Sequence, residues 1–422
     1  MLTDKTRKDF IAILKEEMIP AMGCTEPISL AYAAAKARAV LGKDPEFIKV
    51  YASGNMIKNV RCVRIPNSGG LTGIEVAVCL GAMGGDCERG MKVLETVTDE
   101  TRHAIRDFIN GGHCDVDYLD SDIPLHFIVE ETAGPDYVSV EIRYDHTNIY
   151  KIIRNGEVIF EGDEDQAAGQ TADRSGLSID NIKEFADTVD VSEVKDLLDQ
   201  EIRCNMDIAY EGMAGDYGVG IGKVIKTSYP ESTLTRMKAY AAAASEARME
   251  GCDMPVIINS GSGNQGIASS VPVIVYAREN YVPQEKLYRA LVFSGLLTVH
   301  QKEYIGKLSA FCGAVSASCA AGAAITYLAG GTSEQIKDTV ENTLANIPGI
   351  ICDGAKASCA AKIATSLDAS MMAHYLAMQS RSYQAFTGIL KGETDQTIST
   401  VGYIGKVGMH ETDREIIQTM LE

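Results

Sequence analysis

Apolar positions near the start of the chain recur at helical spacing. Phe10, Ile11, Leu14 and Met18 share one face, Asp4 is placed to cap that helix and Pro20 to end it. A second helix is expected from Thr25 as N-cap, with Glu26 and Pro27 in its first turn, through Ala-rich sequence to Gly42. From Phe47 the texture changes. Residues 47–52, 60–65, 125–129, 138–144, 149–154 and 157–161 read as strands, the last two flanking Asn155-Gly156, a strong two-residue hairpin signal. Helices are expected between them at 73–83 and 88–108. Residues 163–176 are polar and poor in large apolar side chains, and read as a linker. Beyond Ile179 the pattern is helical, apart from a glycine-rich stretch at 215–222 and a short apolar run at 255–259. Helices are expected at about 230–250, 284–299, 309–329, 333–345, 353–377 and 412–421, rich in Ala, Gly and Ser and so able to pack closely. The pattern predicts an α+β protein. A large Ala/Gly-rich helical domain (177–422) packs with the N-terminal helices (1–44), and a smaller α+β domain (45–162) is inserted between them.

Composition narrows the function. The chain has 422 residues, enough for two domains and a large core. No long apolar, charge-free run predicts a transmembrane helix, and the charged, amphipathic N-terminus lacks the apolar region of a signal peptide. A cytoplasmic protein is expected. Eleven cysteines, an odd number without a secretion signal, argue for free thiols or metal ligands rather than a disulfide framework. A net charge of −19 and the lack of a basic run exclude nucleic acid and anionic membrane as natural partners.

The cysteines then supply the candidate chemistry. Two stretches forty residues apart share the pattern C-x4-A-S-C-A-A, one opening at Cys312 after Phe311 and the other at Cys352 after Ile351. A third thiol, Cys24, lies in Gly23-Cys24-Thr25-Glu26-Pro27, a loop-to-helix signal. Cys24 and Cys352 each precede a helical pattern, where a helix N-terminus lowers a thiol pKa; for Cys312 the pattern points to a helix already begun at Ser309. Cys319 and Cys359, two turns further on and flanked by Ala, read as small core residues. The other cysteines lack partners at metal-ligand spacing, and His113-Cys114-Asp115 reads as surface. Without a C-x2-C pair, a zinc ribbon or a ferredoxin-like cluster is not expected. Three dispersed thiols suit a [4Fe–4S] cluster with one iron left open, the position a Lewis acid needs. Simple packing of all the cysteines is the competing reading.

The segments Gly23-Cys24-Thr25-Glu26-Pro27, Ile305-Gly306-Lys307-Leu308-Ser309-Ala310-Phe311-Cys312 and Cys352-Asp353-Gly354-Ala355-Lys356-Ala357-Ser358-Cys359 resemble the L-cysteine desulfidase family, which is related to the iron–sulfur L-serine dehydratases. The resemblance covers nearly the whole chain. It implies a lyase, independent of pyridoxal phosphate, that converts L-cysteine to pyruvate, ammonia and sulfide. It also implies a [4Fe–4S] cluster held by Cys24, Cys312 and Cys352. L-serine deamination by the same chemistry, or a cluster-binding sensor without turnover, are the alternatives.

A β-elimination needs a base for the α-proton, an acceptor for the leaving group and a hold on the α-carboxylate. For the carboxylate the sequence offers 259–266, where Ser260, Gly261, Ser262 and Asn264 follow an apolar run and precede a helix. This literal G-x-G-x-x-G match lacks a Rossmann context and reads instead as an anion nest. A second loop, with Asn67, Ser68 and Gly69, opens a helix of the α+β unit, and the two loops could close over one small substrate. For the base the candidates are Lys356, Lys302, Lys307, His300 and Glu26. Lys356 is placed one helical turn beyond Cys352, and Glu26 is also placed to orient a substrate ammonium. The expected partner is a small amino acid, and the flat Ala/Gly-rich helix faces suit a homodimer.

Overall fold

The computed structural model describes residues 2–162, 172–306 and 308–421. Its elements run α1 (Asp4–Glu17), β1 (Pro20–Met22), α2 (Thr25–Leu41), β2 (Phe47–Ala52), α3 (Gly54–Val60), α4 (Ile74–Gly84), α5 (Asp99–Asn110), β3 (Cys114–Tyr118), β4 (His126–Ala133), β5 (Asp136–Arg143), β6 (Ile149–Arg154) and β7 (Glu157–Glu161). The helical half follows with α6 (Ile179–Thr188), α7 (Lys195–Ala214), α8 (Ile221–Ser228), α9 (Thr233–Met249), strand β8 (Pro255–Ile257), α10 (Gly263–Glu279), α11 (Gln284–Ile305), α12 (Gly313–Leu328), α13 (Ser333–Asn346), α14 (Cys359–Met378), α15 (Thr394–Tyr403) and α16 (His410–Leu421). This is the expected α+β architecture with a large helical part. Residues 163–171 of the expected linker lie outside the described residues.

Six strands form one sheet in the order β3-β2-β4-β5-β6-β7, parallel only between β2 and β3. Along β4, Phe127, Val129 and Ala133 alternate with less buried residues, the period of a sheet with one covered face. The cover is α2, which lies on β4, β5 and β6 and against α4. This corrects the grouping of residues 1–44 as one unit with the helical domain. The parts of it that join the helical domain are α1, packed on α11, β1, paired with β8, and the first turn of α2. The reason is composition: α2 is buried on nearly every side, and its many alanines let a sheet and a second helix approach together.

Other boundaries shift for local reasons. Residues 60–65 are not a strand, because α3 runs to Val60 and the chain then bends. The helix expected over 88–108 is interrupted at Gly90, whose φ of 53° takes the backbone out of the helical region, and resumes only as α5. Cys114 and Asp115, read with His113 as surface, begin an edge strand over 114–118 beside β2. The Asn155-Gly156 hairpin forms with positive φ at both residues, the conformation a two-residue primed turn requires.

In the helical half, α9 is wrapped by α7, α8, α10 and α14, and α12 by α10, α11, α13 and α14. Small residues permit this closeness: a Cβ on Gly212 of α7 would come within 2.1 Å of the Ala243 carbonyl on α9. No helix among the described residues is long and apolar enough to cross a membrane.

Candidate functional site

Two short pairings bring the site together. In the first, β1 runs antiparallel to β8, with Pro20 opposite Ile257, and Ile258 N–H donates to Ile19 O at 3.0 Å. Each strand leads into a turn. After β1 comes Cys24, and after β8 comes the 259–262 loop, so the thiol and the predicted anion loop become neighbours. Thr25 Oγ1 donates to Gly261 O at 2.9 Å and ties the turns together. In the second pairing, Phe311 and Ile351 form an isolated antiparallel bridge. Cys312 N–H donates to Ile350 O at 2.9 Å and Cys352 N–H to Ala310 O at 2.7 Å. The repeated sequence pattern thus becomes a physical pair, and the two first cysteines of the repeats stand side by side.

Cys24, Cys312 and Cys352 all line one cavity of about 90 Å³, together with Glu26, Arg248, Lys302 and Cys359. Its apolar walls include Leu308, Phe311 and Ile363. Lys302, Leu308 and Ser309 also line a second, larger cavity of about 750 Å³ between the α+β unit, α11 and the C-terminal segment.

Two of the thiols sit at helix starts, though neither has its pKa lowered there. Cys24 is the N-cap of α2, displacing Thr25 from that role, and Cys312 is the N-cap of α12, which begins at Gly313 rather than near Ser309. Cys352 departs from this placement: α14 begins only at Cys359, because residues 353–358 form a turn-rich connection. Gly354 carries part of that connection, with φ of 94° and no room for a side chain, since a Cβ would lie 2.3 Å from Lys58 O. Cys319 packs in the core as expected, whereas Cys359, expected there too, lines the cavity.

Charge and burial differentiate the thiols. Burial, reinforced by the Glu26 carboxylate, pushes the Cys24 thiol well above its ordinary range. Its Sγ donates to Glu26 Oε2 at 3.0 Å, and Asn59 Nδ2 donates to Glu26 Oε1 at 3.1 Å. Cys312 and Cys352 are hydrogen-bonded to each other. That bond draws the Cys352 thiol below its ordinary range against the effect of burial, with help from Lys58, the Gly354 N–H and Lys362. The same bond, with burial, raises Cys312.

The remaining predicted residues separate into groups. Gly261, Ser262 and Asn264 line the cysteine cavity. Ser260 does not; it is buried at φ 48°, donates to Asn259 Oδ1 at 2.8 Å and faces the larger cavity. Asn67 and Gly69 line a separate polar depression of about 170 Å³ with Arg102, Glu250 and Asp253. Ser68 is buried and bonded to Leu71, so the second loop does not close over the cysteines. Lys302 and Glu26 are at the cavity. Lys356 is not on a helix with Cys352; its ammonium is bonded to Asp353 instead. His300 Nε2 is held 2.7 Å from Asp395 Oδ1. Lys307 lies outside the described residues.

Sequence reasoning missed Arg248 and Lys58. Arg248 is fully buried in the last turn of α9 and lines the cavity, and its Nε and Nη2 have no hydrogen-bond partner among the described residues. The signal for it was a charged residue on a helix otherwise buried all round, where no surface face exists to solvate it. Lys58, fully buried on α3, pairs with Asp413 of α16 at 2.5 Å. No sequence pattern marks a pair so far apart.

Comparison with known proteins shows the family. The family model described as serine dehydratase alpha chain matches residues 88–418. A UPF0597 protein of Desulfitobacterium hafniense is 45% identical over 99% of this chain and 97% of its own length. One of Lachnoclostridium phytofermentans is 45% identical over 98% and 99%, and one of Treponema denticola is 43% identical over the full length of both. The chain belongs to the serine dehydratase alpha chain family, and its chemistry is of that lyase type.

Proposed function

We propose that this protein is an iron–sulfur-dependent lyase, independent of pyridoxal phosphate, that eliminates sulfide from L-cysteine to give pyruvate and ammonia. The observation that carries the reading is the meeting of three thiols from distant segments, Cys24, Cys312 and Cys352, around one small buried cavity. The donor set fits an iron–sulfur group: thiols are its usual protein ligands, and one of these is already drawn toward the thiolate. Among the described residues no three His, Cys, Asp or Glu side chains converge closely enough to hold a single metal ion. We assign Cys24, Cys312 and Cys352 as ligands of the iron–sulfur group. When bound, it supplies a Lewis-acidic iron for the negative charge that develops on the leaving group.

The chain's own residues supply the rest. Lys302, Leu308 and Ser309 line both the cysteine cavity and the larger one beside it, which gives a small amino acid room to reach the thiols. Glu26, the only carboxylate among the described residues lining the cysteine cavity, receives the substrate ammonium. Gly261, Ser262 and the N-terminus of α10 face the carboxylate end. Lys302, buried where the two cavities meet, takes the α-proton. As the C–S bond breaks, its electron pair leaves with sulfur. The 2-aminoacrylate left behind tautomerises and takes up water to yield pyruvate and ammonium. Leu308, Phe311 and Ile363 keep bulk water from the reacting atoms. L-serine, losing hydroxide in place of hydrosulfide, is the second reading, favoured by the family's description.

The test is iron and acid-labile sulfide content after anaerobic reconstitution, followed by product analysis. About four irons per chain, lost in Cys352→Ala, with sulfide and pyruvate from L-cysteine, is the expected result. Pyruvate from L-serine alone transfers the assignment to serine, and a colourless, iron-free protein removes the cluster.

A further inference from the structure

Among the described residues, two buried lysines and a largely buried arginine are paired. Lys58 meets Asp413 at 2.5 Å, Lys238 meets Asp368 at 2.6 Å, and Arg174 meets Glu17 at 2.7 Å. Arg248 breaks the pattern. It is 2% exposed, has no ion pair among the described residues, and leaves Nε and Nη2 unpartnered. The carboxylates near it in sequence are committed elsewhere. Glu246 accepts from the backbone N–H groups of Val219, Gly220 and Ile221, and Glu250 pairs with Arg64 at 3.0 Å. Glu26, which lines the same cavity, is held by Cys24, Thr25 and Asn59. An unpaired buried charge is costly to fold, so a site that keeps one is built for a charged guest.

The position of the guanidinium says where that guest sits. A Cβ built on Gly263 would lie 2.3 Å from Arg248 Nε, so the guanidinium rests against the first residue of α10. That helix runs for 17 residues, and its N-cap, Ser262, makes no side-chain capping bond. A buried arginine and an uncapped helix N-terminus therefore face one small cavity from the same side, and both favour an anion. Glu26 is the only acid among the described residues that line the cavity. The pair matches a zwitterion.

We infer that Arg248, with the N-terminus of α10, is the receptor for the α-carboxylate and restricts the site to free α-amino acids, excluding amines, esters and amides. This deepens the proposed lyase reading and rests on it for the identity of the substrate. The competing role for Arg248 is to balance the charge of the cysteine thiolates, since its charge also acts on Cys24.

The experiment is calorimetric titration of anaerobically reconstituted full-length protein with L-alanine, which cannot undergo elimination, and with L-alaninamide, which lacks the carboxylate charge. Wild type is compared with Arg248→Gln and Arg248→Lys, and iron per chain is measured alongside. Wild type is expected to prefer L-alanine by about ten- to a hundredfold. Arg248→Gln should lose that preference while keeping its iron, and Arg248→Lys should recover part of it. A wild type that binds both ligands equally overturns the inference whatever the variants do. So does an Arg248→Gln protein that keeps the preference, or one whose only change is loss of iron. If wild type binds L-alanine through Arg248 yet turns over neither L-cysteine nor L-serine, the lyase reading fails and the carboxylate receptor stands.

Discussion

Glu201 shows how burial acts on a single residue. It is enclosed in α7, and burial alone pushes its carboxyl up to about 8. One of its oxygens has no hydrogen-bond partner. In the unfolded chain the same carboxyl releases its proton near pH 4.3. The folded state therefore holds an extra proton between about pH 4 and 8, and stability from this group is complete below that window and lost as pH rises through it. Glu201→Gln should flatten the stability curve by up to about 1.4 kcal/mol per pH unit there. Denaturant unfolding at pH 5 and pH 8 measures it, and parallel curves for variant and wild type would contradict the burial argument. Lys302 belongs to the same scale. Lys302→Met should keep its iron and its affinity for L-alanine but lose turnover by at least about a hundredfold, the usual contribution of a positioned base. A variant that retains near wild-type kcat would remove Lys302 from the reaction.

At the scale of elements, the site depends on short pairings and turns rather than on long helices. The Phe311–Ile351 bridge sets Cys312 beside Cys352, and Gly354 turns the chain away immediately afterwards. Gly354→Ala would place a methyl into Lys58 O at a φ that L-residues rarely adopt. A cost of about 1–3 kcal/mol is expected, together with reduced iron uptake on reconstitution. Full iron content at unchanged stability would mean that the connection tolerates another path. These pairings were only half legible. The repeated motif and the apolar residue before each cysteine were visible in the sequence. Their antiparallel contact was not, because one isolated bridge has no periodicity to announce it. The expected helix starts at Thr25, Ser309 and residue 353 each missed by one to six residues, since Ala-rich sequence extends a helical pattern without saying where hydrogen bonding begins.

Across the whole molecule, the C-terminal helix is tied to the α+β unit by one buried pair. Lys58 is fully buried and Asp413 nearly so, and Lys58 is also close enough to Cys352 to favour its thiolate. Asp413→Asn leaves that ammonium uncompensated and should cost about 3–5 kcal/mol, read as a lower Tm. Lys58→Met combined with Asp413→Leu should restore most of the loss. A single variant as stable as wild type would show that the pair contributes nothing. By itself, the sequence determined the α+β class, the hairpin, the helical second half and the three cysteines, since these are written in local periodicity, turn chemistry and motif. Only the tertiary structure decided that α2 lies on the sheet, that the loop at 67–69 does not line the cysteine cavity, that Lys356 is bonded to Asp353, and that Arg248 is buried with no ion-pair partner among the described residues. Whether a charge finds a partner depends on every element packed around it, and that information exists only once the chain has folded.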